Sequence, residues 1–409
     1  MTATAPVIAP AAESLAESAA APDVVAPPPG HPRFPLVDSL RAIAAIAVVV
    51  VHAGGLTVTP LHGFVSHAEV GVAIFFAISG FLLYRPFASA RLNGARRSAV
   101  SSYVRRRILR IVPAYWLALT VLAIWPGLAG LFTGHSWVFY GFGQVYDDQY
   151  ALQGIPAAWT LCIEITFYLL LPLYAAVVGG LLGRRSRRSQ VVAELGLLTA
   201  IAAASLAYRY VLRTHGSLSP VLNALPTHLD WFAPGMALAV LSAYWQDRPL
   251  PRPAALVARR PAISLAVAAG AYILVSLTEH GPQLLRAGPN PVLLYTGPQD
   301  VARHVLYAVT AVGLLVPAML GSGGWIRGVL GWRVLAWLGL ISYGIYLWHQ
   351  TLLVWICQPG PELGCAFHGL PAAHRAPLLA LVVIGLALSV VCAAASYYVV
   401  ERPILRFKR

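Results

Sequence analysis

Arg41 and His52 are separated by ten apolar or small residues. On an α-helix, eleven steps of 100° bring their side chains within about 20° of one another, roughly 16 Å apart along the axis. Asp38, three residues before Arg41, is spaced to pair with it. Ionisable groups inside an apolar helix are unfavourable and mark function by default. The plain alternative is that Arg41 and His52 each reach for the nearer water surface. Imidazole titrates where it can take a proton from a hydroxyl and return it, so His52 is a candidate general base.

Further polar groups lie in other apolar runs. Arg107 and Arg110 fall on one face of the segment Arg105-Arg106-Arg107-Ile108-Leu109-Arg110, a fork suited to a multiply phosphorylated ligand or, more plainly, to anionic lipid headgroups. Glu164 lies about two turns inside its run, where a carboxylate must be protonated, paired or in a wet cavity. Ser342, Tyr346 and His349 stand at i, i+4 and i+7 and form one polar stripe. Aromatic residues there could serve only as interface anchors, but a histidine among them is harder to explain so. In Phe75-Phe76-Ala77-Ile78-Ser79-Gly80-Phe81, Ser79 and Gly80 permit close helix approach.

The elements that must position these residues are membrane helices. Of 409 residues, 58% are hydrophobic and 11% charged, and the mean hydropathy is +0.69. A soluble domain carries roughly 25% charged residues. Apolar runs long enough to span fall near 36–57, 69–90, 108–125, 158–182, 191–212, 228–246, 262–277, 301–321, 334–356 and 376–398. The expected fold is an all-α polytopic bundle of about ten transmembrane helices set in a lipid bilayer. Residues 36–409 form this membrane domain. Residues 1–35, rich in Ala and Pro, read as a disordered tail without the pattern of a cleaved signal peptide.

The net charge of +14 is almost wholly arginine, with Lys408 the single lysine. These residues cluster in every second connection, including Arg184-Arg185-Ser186-Arg187-Arg188 and the end Arg406-Phe407-Lys408-Arg409. That is the positive-inside pattern of a cell inner (plasma) membrane protein with both termini cytoplasmic, and it does not read as a nucleic-acid patch. It sets Arg41, Arg107 and Arg110 at the inner side and His52, Glu164 and His349 in the outer half. Cys357 and Cys365 fall in the last outer loop, either bridged or free; Cys162 and Cys392 read as packing residues. No Cys/His spacing resembles a zinc site, and no bound cofactor is expected.

In one order along the chain stand Arg41-x10-His52, Phe-Phe-x-x-Ser-Gly-Phe at 75–81, Arg107-x-x-Arg110 with Pro113 and Tyr115, and Trp159-Thr-Leu-x-x-Glu164 with Phe167-Tyr168. Ser342-Tyr343-x-x-Tyr346-Leu-Trp-His349 and Glu401-x-Pro403 follow. This set, covering about 36–409, resembles the acyltransferase-3 family of integral membrane O-acyltransferases. The chain departs from it locally at Ile165-Thr166 and Gln350. The resemblance implies transfer of an acyl group from cytoplasmic acyl-CoA to a hydroxyl of a carbohydrate, glycolipid or macrolide-type antibiotic acceptor. On that reading His52 is the base, Glu164 orients or stabilises it, and His349 assists. Arg107 and Arg110 hold the CoA phosphates, and Arg41 acts at the donor end. The competing class is a transporter or flippase of a lipid or sugar, which composition alone fits equally well.

Overall fold

Helix α1, Pro35–Gly55, opens with a proline where no intrahelical N–H bond is lost, and it carries Asp38 near the positive end of the helix dipole. Helix α2, His62–Ser66, and a 3-10 turn, His67–Glu69, fold over its far end. They lead into α3, Val70–Asn93, which stops at Gly94 in the left-handed conformation with φ of 68°. There follow α4 Val100–Leu122, α5 Ser136–Tyr140, α6 Trp159–Leu182, α7 Arg187–Thr214 and α8 Leu229–Trp245. Helices α9 Arg252–Arg259 and α10 Ala262–Thr278 are bent by 85° across the break that holds Pro261. A capping box between Thr296 and Gln299 starts α11, Gly297–Met319. The chain continues through α12 Gly324–Leu330, α13 Arg333–Leu340 and α14 Ser342–Ile356 to an antiparallel ribbon, β1 Cys357–Pro359 with β2 Cys365–Phe367, and then α15 Leu378–Ser396.

This computed structural model describes residues 34–57, 59–95, 99–132, 134–147, 149–151, 153–215, 220–278, 295–320, 324–359, 365–367 and 377–408. Most of the tail expected over 1–35 lies outside them. The fold is an all-α bundle, and every apolar run read from the sequence is helical. Among the described residues, seven helices are long and apolar enough to cross a membrane, and the bent α9–α10 pair makes an eighth if it counts as one span. Helix α8, with 17 residues, and α14, with 15, are shorter. The run 334–356 was expected as one helix but breaks at Ile341. There the chain turns around the base of α1, so tightly that a Cβ on Gly339 would stand 1.8 Å from the Asp38 carbonyl oxygen. The Ser342 hydroxyl donates to the Gly339 carbonyl at 2.8 Å across that break.

Large aliphatic side chains point outward along α6 (Leu169, Leu173, Val177, Leu181) and α15 (Leu379, Val383, Val391), as lipid-facing surfaces require. Inside, Phe76 stacks on Phe232 at 4.5 Å and Phe232 on Phe167 at 4.1 Å, tying α3, α8 and α6 together. Helices α3 and α8 meet backbone to backbone. Gly80 faces the Phe232 carbonyl and Gly235 faces the Ala77 carbonyl with no room for a Cβ. Gly80 thus does what its type suggested, while Ser79 is turned to another use.

Candidate active site

Helix α1 crosses the middle of the bundle with Arg41 toward one end and His52 toward the other. Arg41 Nη1 donates to Asp38 Oδ1 at 2.9 Å, the pair its spacing suggested. Arg41, Arg107 and Arg110 together line two cavities. The wider, about 450 Å³, opens among Phe34, Tyr103, Arg106 and Pro172. The narrower, about 80 Å³, lies among Ser79, Thr160, Glu164, Tyr168 and Tyr346. Since the three arginines belong to both, the cavities adjoin, and together they mark a passage whose inner part is the narrower. Asp38, Arg91 and Arg106 border the wide part and Glu164 the narrow part, so five guanidinium groups stand with two carboxylates in the walls. That excess of positive charge in a partly desolvated space suits a phosphorylated ligand.

Glu164 is held firmly. The Ser79 hydroxyl donates to its Oε1 at 3.0 Å and the Tyr168 hydroxyl to its Oε2 at 2.8 Å. Ser79 and Tyr168 therefore belong to the site, a role that the small-residue reading of 79–80 hid. Glu164 makes its hydrogen bonds to these two hydroxyls, not to His52, which sequence reasoning had made its partner. It sits with the arginines in the passage wall.

The partner of His52 is His349. His349 Nε2 lies 3.2 Å from His52 Nδ1, and the rings meet edge to face with centroids 4.9 Å apart. His52 Nδ1 also lies 2.8 Å from the Val48 carbonyl, and His349 Nδ1 lies 2.7 Å from the Tyr346 carbonyl. A carbonyl only accepts, so each Nδ1 carries its proton when the ring is neutral. His52 Nε2 is then a lone pair free to take a proton, and the Nε2 lone pair of His349 faces the N–H of His52. Once His52 is protonated, His349 becomes an acceptor beside the new cation. Such an arrangement can orient a general base.

Tyr346 joins the two halves of the site. Its hydroxyl donates to the Ala157 carbonyl at 2.9 Å and contacts Thr160 Oγ1 at 2.8 Å, and its ring meets Phe75 at 5.9 Å in the wall of the narrow cavity. One turn later on the same helix stands His349. The break at Ile341 aims this stripe: Ser342, Tyr343 and Tyr346 all line the narrow cavity. Tyr343 donates to the Ile111 carbonyl at 3.0 Å and so fixes α14 against α4.

Beyond the passage, the ribbon after α14 is closed by a Cys357–Cys365 disulfide, with Cα atoms 5.3 Å apart. Cys162 and Cys392 are free. Among the described residues, no group of three or more His, Cys, Asp or Glu is placed to hold a metal ion.

Comparison with known proteins bears on this arrangement. YrhL of Bacillus subtilis is 25% identical over 393 residues, which cover 91% of this chain and 55% of that protein. The peptidoglycan O-acetyltransferase OatA of Listeria monocytogenes is 25% identical over 342 residues, 78% of this chain and 49% of OatA. The exopolysaccharide production protein ExoZ of Rhizobium meliloti is 28% identical over 345 residues, 82% of this chain and 89% of ExoZ. The chain spans about half the length of YrhL and OatA. No solved structure matches it. The family profile described as acyltransferase domain matches residues 35–398, nearly all of the helical bundle, and this multi-pass membrane protein belongs to the acyltransferase-3 family.

Proposed function

We propose that this protein is a membrane O-acyltransferase that moves an acyl group from acyl-CoA to a hydroxyl of a carbohydrate, glycolipid or macrolide-type acceptor. The observation that carries the reading is the pair of adjoining cavities that share Arg41, Arg107 and Arg110, the narrower lined by Tyr346, one turn from His349 and its partner His52. The chain lies in the cell inner membrane with both termini cytoplasmic, so the wide, basic part of the passage opens to the cytoplasm. Arg107 and Arg110 hold the CoA phosphates there, with Arg41 at the donor end.

The narrow part admits the acyl thioester beside Glu164, whose two oxygens are already occupied by Ser79 and Tyr168. At the other end His52 Nε2 removes the acceptor hydroxyl proton. The oxygen forms a bond to the acyl carbon, the carbon–sulfur bond breaks, and the proton finally resides on the CoA thiol. His349 Nε2 steadies the imidazolium in between. Matched names among the relatives, peptidoglycan and exopolysaccharide O-acetyltransferase or production proteins, favour a carbohydrate acceptor and acetyl as the donor group to test first.

The test uses the full chain in lipid nanodiscs with acetyl-labelled acetyl-CoA and a soluble oligosaccharide. Label should pass to the sugar with stoichiometric CoA release, and His52→Ala should lose both while folding normally. Wild-type turnover in that variant would sink the mechanism, and no CoA release with any acceptor would favour transport.

A further inference from the structure

A second charged network lies at the His52 end of the bundle, away from the basic passage. Asp300, fully buried, receives Arg209 Nε at 2.6 Å, Arg213 Nε at 3.0 Å and Arg303 Nη2 at 2.7 Å. Arg303 Nη1 reaches onward to Glu69 Oε2 at 2.8 Å. Glu69 closes the 3-10 turn that precedes α3, and the first turn of α3 presses on α1. A Cβ on Gly71 would meet the Ala44 carbonyl and the Val48 side chain, one turn below His52. The His67–Glu69 turn itself packs against α1, the helix that carries His52.

Burial separates a structural staple from a binding group. A staple buries both partners, and the Arg209, Arg213 and Asp300 side chains are at most 4% exposed. Arg303 is 9% exposed, but Glu69 keeps 35%. Arg303 Nε is buried and makes no hydrogen bond among the described residues. Nor does any side chain among them donate to Glu69 Oε1. Arg303, itself held by Asp300, thus fixes a partly exposed carboxylate with acceptor capacity left over, in the turn that packs on α1.

We infer that Glu69, held by Arg303, is an acceptor-binding residue that takes hydrogen bonds from hydroxyl groups of a neutral, polyhydroxylated acceptor whose reacting oxygen lies at His52. The inference rests on the transferase reading and narrows it to sugars. A carboxylate with a free oxygen accepts from hydroxyls and offers nothing to an anionic acceptor, and an apolar macrolide face offers it few donors.

The full chain in nanodiscs, without donor, is titrated with N-acetylchitotetraose and with cellotetraose, and the acceptor KM is then measured with acetyl-CoA. Glu69→Gln should weaken binding of the bound oligosaccharide and raise its KM by roughly tenfold to a hundredfold, the worth of a hydrogen bond to a charged group. The acetyl-CoA KM and the melting temperature should stay as in wild type, and Glu69→Asp should recover part of the loss. Wild-type binding and KM in Glu69→Gln overturn the inference. So does a fall in melting temperature with donor and acceptor constants changed alike, or no saturable binding of either sugar to wild type. Sugar binding that depends on Glu69 without any acetyl transfer would retain this site and remove the transferase reading instead.

Discussion

His349 Nε2 stands 3.2 Å from His52 Nδ1, and each ring is pinned through its own Nδ1 by a carbonyl of its own helix, Tyr346 or Val48. The pair is asymmetric: His349 offers its free nitrogen to His52, and in the proposed mechanism His52 offers its own to substrate. His52→Ala should therefore lower kcat by about 10²- to 10⁴-fold, the usual worth of a general base. His349→Ala should lower it by roughly tenfold to a hundredfold, the worth of one hydrogen bond to a charged ring. Because the two act as a unit, the double variant should be little worse than His52→Ala; multiplicative losses in steady-state kinetics would show that they act separately.

Arg107 and Arg110 line both cavities and, in the proposed function, hold the donor. Either one replaced by Ala should raise the acetyl-CoA KM by roughly tenfold or more and leave the acceptor KM alone. Lys in either place should recover only part of the affinity, since it lacks the planar fork. Wild-type KM should also rise with ionic strength, because part of the attraction is screened. An acceptor KM that moves with the donor KM would refute the assignment.

The α3–α8 contact leaves no space at Gly235, where a Cβ would fall 2.0 Å from the Ala77 carbonyl oxygen. Gly235→Ala must push two helix backbones apart and should cost about 1–3 kcal/mol. A thermal melt of the detergent-solubilised protein reads this directly. Gly180→Ala, in α6 with nothing within 4 Å, is the control and should melt as wild type or slightly higher.

The Cys357–Cys365 bridge closes a loop with a sequence separation of 8. A loop of that length should add about 2–3 kcal/mol by restricting the unfolded chain. Alkylation of the unreduced, denatured protein should label Cys162 and Cys392 alone, and reduction should add the other two. Four labelled cysteines before reduction would exclude the bridge.

Much of this was legible along the chain because it is periodic or local. Every apolar run became a helix, since each long run must bury its backbone polar groups within itself. The Asp38–Arg41 pair needs only three residues of spacing. What stayed hidden depends on distant segments. Depth and resemblance made His349 an assistant to His52, but no spacing shows their direct contact across 297 positions or turns Ser79 toward Glu164. Glu164 was assigned to His52 on the family resemblance and on depth, and neither tells which of several helices a side chain faces. The Glu69–Arg303–Asp300 network left one signal: Arg209, Arg213 and Arg303 fall at helix ends where the basic-loop pattern predicts few arginines. Such cations need buried acids nearby, and Asp300, three residues before Arg303, was the visible candidate.

The clasp at the base of α1 has a mechanical consequence. Gly339 meets Asp38 backbone to backbone, Ser39 Oγ donates to the Leu330 carbonyl at 2.5 Å, and at the far end Val65 fills the space against Gly54. Gripped at both ends, α1 is, in the proposed mechanism, a fixed ruler between donor clamp and base. Its eleven-residue graduation, roughly 16 Å at the usual helical rise, cannot shorten during turnover. The flexible arm of the donor or the reach of the acceptor must make up that length, so selectivity can be set by molecular span as well as by chemical recognition.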